Sequence, residues 1–168
     1  LEKAAKRMIL IHRPDTLVKL ILRAIIRTLR LEHASLILYD KTRDAYVAHT
    51  SSGNTGFKIP KGFAMISKDN SIIRHFMQNN TKDSNKNYVL FSSIVSSIDP
   101  LHKEMRTQFF LYNAKACIPG FFRNKLIFAL FLGGKFNGED FMLDELDFLS
   151  VLSSDTVMAI QNAWFFQD

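Results

Sequence analysis

The segment Lys115–Leu149 constrains this 168-residue chain more than any other. Ala116–Phe122 and Leu126–Leu132 are apolar runs of strand length, separated only by Arg123-Asn124-Lys125. Two such runs joined by so short a polar break read as a β-hairpin. Gly133-Gly134-Lys135 and Gly138-Glu139-Asp140 follow as turn chemistry, and a helical pattern opens at about Phe141.

Upstream, the pattern alternates between helix and hairpin. Leu1, Ala4 or Ala5, Met8 and Ile11 recur at helical spacing, and Pro14 interrupts that segment. Asp15 is a good N-cap for a helix over Thr16–Leu31, with Leu17, Leu20, Ile21, Ala24 and Thr28 on one side and Val18, Leu22, Ile25, Ile26 and Leu29 on the other. Lys19, Arg23, Arg27 and Arg30 share a face and form its wet side. Ala34–Tyr39 and Ala45–Thr50 read as a hairpin around the polar turn Asp40–Asp44. Ser51–Gly56 is a loop, and Lys58–Gly62 is extended because the residue before Pro60 avoids the helical region. Asp69-Asn70-Ser71 caps a short helix, Ile72–Gln78, and a polar loop follows over Asn79–Asn87. Pro100 opens a helix carrying Leu101, Met105, Phe109 and Tyr112. The expected sheet contains Leu36–Tyr39, Val47–His49, Tyr88–Phe91, Ala116–Phe121 and Leu126–Leu132.

Composition excludes several classes. Apolar residues make up 47% of the chain, with 15 Phe, which is incompatible with global disorder. No apolar run reaches the roughly 18 residues of a membrane-spanning helix. The single cysteine, Cys117, cannot form an internal disulfide, which favours a reducing, cytoplasmic setting. The net charge of +6 comes from scattered basic residues, so no nucleic-acid partner is expected. The first residue is Leu and an apolar helix still runs at Trp164–Phe166, so the chain reads as a piece of a longer protein.

Catalytic patterns are missing from the sequence. Gly133-Gly134-Lys135 ends a strand, with no helix directly after the Lys as a phosphate loop requires. Cys117 lies in an apolar strand and reads as a buried, inert thiol. His12, His33, His49, His75 and His102 hold no helical metal pair. There is no nucleophile elbow or triad order. Glu139, Asp140, Asp144, Glu145 and Asp147 stand at a helix start, where negative charge offsets the dipole. Phe128 and Phe131 face opposite sides of a strand and cannot form one base-stacking platform.

The order Ala116, Ile118-Pro119, hairpin, Leu132-Gly133-Gly134-Lys135, Phe141, Glu145-Leu146 and Leu149 resembles the C-terminal half of a GAF domain. The first hairpin, with its Asp40-Lys41-Thr42-Arg43-Asp44-Ala45-Tyr46-Val47 text, is similar too. The resemblance implies an α+β, profilin-like or PAS-like fold. A central antiparallel sheet would carry the N- and C-terminal helices on one face and short helices and loops on the other. It divides the chain into a helical connector, residues 1–14, and a GAF domain, residues 15–168. The chain lacks the several cysteines of family members that reduce methionine sulfoxide and the Cys context of those that attach bilins. Of a cyclic-nucleotide signature it keeps Lys135 and Phe141, but has Gly134 and Leu146 in place of Asn and an acid.

The resemblance implies a non-catalytic sensory or regulatory domain of a bacterial signalling protein. A covalently linked kinase, cyclase or phosphohydrolase output domain would lie beyond Asp168. The alternative is the ligand-responsive domain of a transcription regulator. A small molecule, of unknown identity, would contact Phe63, Ile72, His75, Phe91 and Tyr112, where the family places its ligands. Surplus apolar surface on the terminal helices implies a parallel homodimer through Met8, Ile11, Leu22, Ile26, Val151, Met158 and Trp164.

Overall fold

The computed structural model describes residues 14–53, 59, 66–79 and 87–167, without the side chains of 14, 15, 50 and 165–167. Phe122 and Lys125 pair across a two-residue loop in which Arg123 takes the left-handed conformation (φ 56°) that tight hairpins favour. Lys125 therefore opens the second strand instead of completing the turn. The hairpin joins β4 (Ala116–Phe122) to β5 (Lys125–Leu132). A second hairpin joins β1 (His33–Asp40) to β2 (Ala45–Gly53). Its turn is held by Asp40 Oδ1, which accepts from the Thr42 and Arg43 amides at 2.9 and 3.2 Å. With β3 (Val89–Leu90) these strands form one antiparallel sheet in the order β2-β1-β5-β4-β3.

The expected strand Tyr88–Phe91 is shorter than its sequence pattern. Only Val89 and Leu90 pair, with Cys117 and Ala116. The Phe91 amide then bonds to the Lys115 carbonyl, and the chain turns at once into α3, Phe91–Ile94. The other helices are α1 (Pro14–Leu29), α2 (Ser71–Gln78), α4 (Pro100–Leu111) and α5 (Leu143–Gln167). Asn70 caps α2 by accepting from the Ile72 amide, and Asp99 caps α4 by accepting from the Leu101 amide.

Helices α1 and α5 cover one face of the sheet. Their buried residues meet Ala34, Leu36, Ile118, Phe128, Leu130 and Leu132. Helix α1 begins at Pro14, whose missing N–H is harmless in the first turn, so Asp15 is inside the helix and not its cap. It buries a single side, including Leu17, Val18, Ile21 and Ile25, whereas Leu20, Ala24 and Thr28 are exposed beside the basic stripe. Leu22 and Ile26, expected at a dimer interface, are buried in this layer and find their partners within the domain.

Helix α5 starts two residues later than its pattern predicts because its first turn is set by Lys135. Glu145 accepts from the Met142 amide at 2.7 Å and pairs with Lys135 Nζ at 2.5 Å. Burial alone would raise the Glu145 pKa; the Lys135 ammonium and the Met142 amide outweigh it and hold the carboxyl below its usual range. Lys135 also bridges Leu31, and the Phe136 amide bonds to the Arg30 carbonyl at 3.0 Å. One loop thus fastens the end of α1 to the start of α5. Further along α5, Ser153 Oγ donates to the Pro119 carbonyl of β4 at 2.6 Å. Among the described residues no helix is long and apolar enough to cross a membrane.

A Cβ at Gly120 would stand 2.3 Å from the Phe128 ring, its cross-strand partner. Gly120→Ala should lower the unfolding free energy in urea by about 1–3 kcal/mol, and Phe128→Leu in the same chain should recover part of the loss. Lys135→Met leaves the Glu145 carboxylate without its cation, and should cost up to roughly 3 kcal/mol by the same measurement.

Candidate functional site

The opposite face of the sheet carries α2, α3 and α4. Its floor is Ile37, Cys117, Ala129 and Phe131, and its cover is Ile72, Phe76, Met105, Phe109 and Tyr112. Tyr112 stacks on Phe131 with ring centroids 4.2 Å apart and planes at 12°. Phe109 meets the same Phe131 edge-on at 6.3 Å, and Phe91 leans on Phe109 and Phe110. Lys115 Nζ lies 5.1 Å above the Phe91 ring.

The structure brings four of the expected ligand residues to this one face. Ile72 and Tyr112 are fully buried in its core, while His75 and Phe91 are half-buried at its margin. Phe63 lies outside the described residues, as do Met8 and Ile11. The aromatic residues thus fill the space between sheet and helices. Of the interface residues on α5, Val151 and Met158 are exposed, and Trp164 is half-buried against the α1/α5 core.

Polar groups are few in this layer. Tyr46 donates to the Leu126 carbonyl at 2.8 Å, and burial, with Tyr39 and Asp44 nearby, pushes its pKa up to about 12. Burial likewise raises the Cys117 thiol well above its ordinary value, so it stays protonated and unreactive. Ser71 Oγ is buried at the start of α2 with no hydrogen-bond partner among the described residues. Arg74 ties α2 to α4 through Glu104 at 2.5 Å. Beside that pair, the His75 and His102 rings lie 6.1 Å apart, and His102 bonds to Ser97 Oγ at 2.7 Å. Among the described residues no three His, Cys, Asp or Glu side chains gather as metal ligands do.

Sequence reasoning did not find Ser71, Ser153 or the partner of Lys135. Ser71 appeared only as part of a capping triplet, and the Ser153–Pro119 bond joins residues 34 positions apart. His33 was also unassigned. It is buried at the start of β1, where its Nε2 lies 2.8 Å from the Asn113 carbonyl just after α4. Gly133 has no Cβ because one there would stand 2.6 Å from the His33 ring.

Solved structures share this architecture over nearly the whole chain. Residues 122 to 287 of a methyl-accepting chemotaxis protein superpose with a TM-score of 0.74 at 11% identity, covering 97% of this chain and 98% of that one. The GAF domain/HD domain protein from Geobacter sulfurreducens gives a TM-score of 0.66 at 14% identity, covering 92% and 97%. The GAF domain of a two-component sensor histidine kinase from Bacillus halodurans gives 0.59 at 17%, covering 88% and 96%. The chain has the GAF fold. No family model matches the sequence, and no curated protein matches it either. The expected placement of terminal helices on one face of a GAF sheet and short helices on the other is therefore correct.

Buried His33 and half-buried His75 make the stability of the domain depend on pH. Burial lowers the His33 pKa against the opposing pull of the Asn113 carbonyl and Glu32. Burial and the neighbouring His102 lower that of His75, opposed by Asp99. The unfolded chain takes up these protons near pH ~6.5 and the folded chain only lower, so their contribution is complete above ~6.5 and is lost as pH falls. The urea midpoint should drop between about pH 8 and about pH 5, and drop less in His33→Gln, which keeps a donor for Asn113.

Proposed function

We propose that this domain is a non-catalytic sensory and regulatory module of a cytoplasmic signalling protein. The α2/α4 face receives a small molecule, and α5 carries the response to a linked output domain. The observation that carries this reading is the bond from Ser153 to the Pro119 carbonyl. On β4, Cys117 and Phe121 belong to the α2/α4 layer, while the carbonyl between them is held by α5. A shift of β4 caused on one face is therefore passed to the helix on the other. The Ser71 hydroxyl, buried and without a partner among the described residues, supplies a polar anchor for a ligand that displaces part of the aromatic filling. The fold neighbours described as a chemotaxis protein, an HD-domain protein and a sensor histidine kinase support a signalling role. The outward side of α5 supports work as a homodimer, in which two such helices move against each other.

A thermal-shift screen against a metabolite panel tests the sensing step. A ligand present at ~100 times its Kd should stabilise the fold by about 2.7 kcal/mol. Amide resonances of Ile72, His75, Phe91 and Tyr112 should move, together with those of 150–158 on α5. Ser153→Ala should keep the binding and lose the response in α5. A panel without a stabilising compound would overturn the ligand reading.

A further inference from the structure

His75 of α2 and His102 of α4 face each other where these two helices meet. Their ring centroids stand 6.1 Å apart and their planes cross at 62°. Both residues are half-buried, so solvent reaches the pair. The helices are already fixed on either side of it. Arg74 pairs with Glu104, and Arg106 donates to the Ile94 and Ser97 carbonyls at 2.7 and 2.9 Å. Phe76 supports the His75 ring edge-on at 5.7 Å. Ser97 Oγ lies 2.7 Å from His102 Nδ1, and Asn79 Nδ2 lies 3.5 Å from His75 Nδ1. Neither Nε2 has a hydrogen-bond partner among the described residues.

We propose that His75 and His102 bind one divalent transition-metal ion of the zinc, nickel or copper class, each through Nε2, with water on the remaining positions. Distance allows it. A bond of ~2.1 Å from metal to imidazole nitrogen places the ion about 3.2 Å from each ring centroid, so two rings on one ion stand about 5.2 Å apart at a tetrahedral angle and about 6.4 Å apart when opposed. The 6.1 Å separation of these rings falls inside that range. Rotation about χ2, a soft torsion in histidine, turns both Nε2 atoms toward the ion without moving either helix.

Coordination through Nε2 needs the ring proton on Nδ1. At His102 that proton is donated to Ser97 Oγ, which fixes both the tautomer and the ring. Ser97 Oγ also accepts from the Asp99 amide at 3.2 Å, so the hydroxyl is itself held in place. Burial, with His102 beside it, keeps His75 unprotonated at neutral pH against the pull of Asp99, and leaves it the lone pair a metal requires. Two imidazoles suit zinc, nickel or copper; magnesium and calcium take oxygen ligands. The charges nearby cancel, Asp99 and Glu104 against Arg74 and Arg106, so an incoming cation meets no net repulsion. The ion locks α2 onto α4 beside the Arg74–Glu104 pair. No cavity in the aromatic layer is needed, so the site stands apart from the small-molecule reading.

Calorimetric titration of the chelator-treated domain with zinc chloride alone tests the site, at pH ~7.5, above the ordinary histidine range. Zinc should bind the wild type and raise its melting temperature, and magnesium should do neither. His75→Ala and His102→Ala should each weaken zinc binding roughly tenfold or more and abolish the thermal shift. Ser97→Ala, which removes the partner of Nδ1 and leaves both ligands, should weaken binding by a smaller factor. A readout on the wild type covers the case in which a histidine variant fails to fold. In imidazole nitrogen spectra, zinc should move Nε2 of both His75 and His102 while each Nδ1 stays protonated. Binding retained in full by both histidine variants would overturn the site. So would a zinc response confined to one of the two rings, or a wild type that binds no zinc.

Discussion

The rest of this domain depends on β5 being apolar on both of its sides. From Leu126 to Leu132 every residue is buried, and the strand lies at the middle of the sheet. A strand of this kind cannot face water on either side, so the fold must supply two covering layers. Helices α1 and α5 supply one and the short helices the other. The hairpin to β4 and the pairing with β1 follow from the same need, since both neighbours bring side chains that extend the two buried surfaces. Phe128 and Phe131 express the division in one strand: the first lies across Gly120 in the α1/α5 layer, and the second sits under Tyr112 in the other.

The strands were legible because their apolar runs are bounded by turn residues whose chemistry is local. Asp40 closes one turn through its own side chain, and Arg123 closes the other through its backbone. The caps at Asn70 and Asp99 are equally local, although Asp99 went unread beside the stronger signal of Pro100. Faces were harder. Helix α1 is apolar over so much of its circumference that periodicity alone leaves its inward side open. Leu20 and Ala24 precede Arg23 and Arg27 by one helical turn, so the basic stripe carries them outward and Leu22 and Ile26 turn inward. The burial of Leu22 and Ile26 is a consequence of where the sheet lies, which the helix's own sequence does not contain.

The polar ties were the least legible part of the site. Lys135 could be read as a strand end and Glu145 as an acid near a helix dipole, and both readings are locally sound. Their meeting at 2.5 Å depends on the loop between them folding back over the end of α1. His33 and Asn113 are 80 residues apart, and Ser153 and Pro119 are 34 apart. Each pair joins two elements that already pack, so each is a product of the fold and also fixes its alignment. The aromatic filling of the α2/α4 face was anticipated by composition, but which rings stack was not.

Proline within β4 has a consequence for the exposed border of the sheet. Strand β3 is only two residues long and pairs with Ala116 and Cys117, leaving β4 from Ile118 onward without a strand neighbour on that side among the described residues. An open border of this kind is a template on which another chain can add a strand and begin a filament. Pro119 stands in that stretch with no N–H to offer, and its carbonyl is already taken by Ser153. The residue that links β4 to α5 therefore also denies an incoming strand both halves of a ladder rung, and keeps the sheet from growing beyond its own chain.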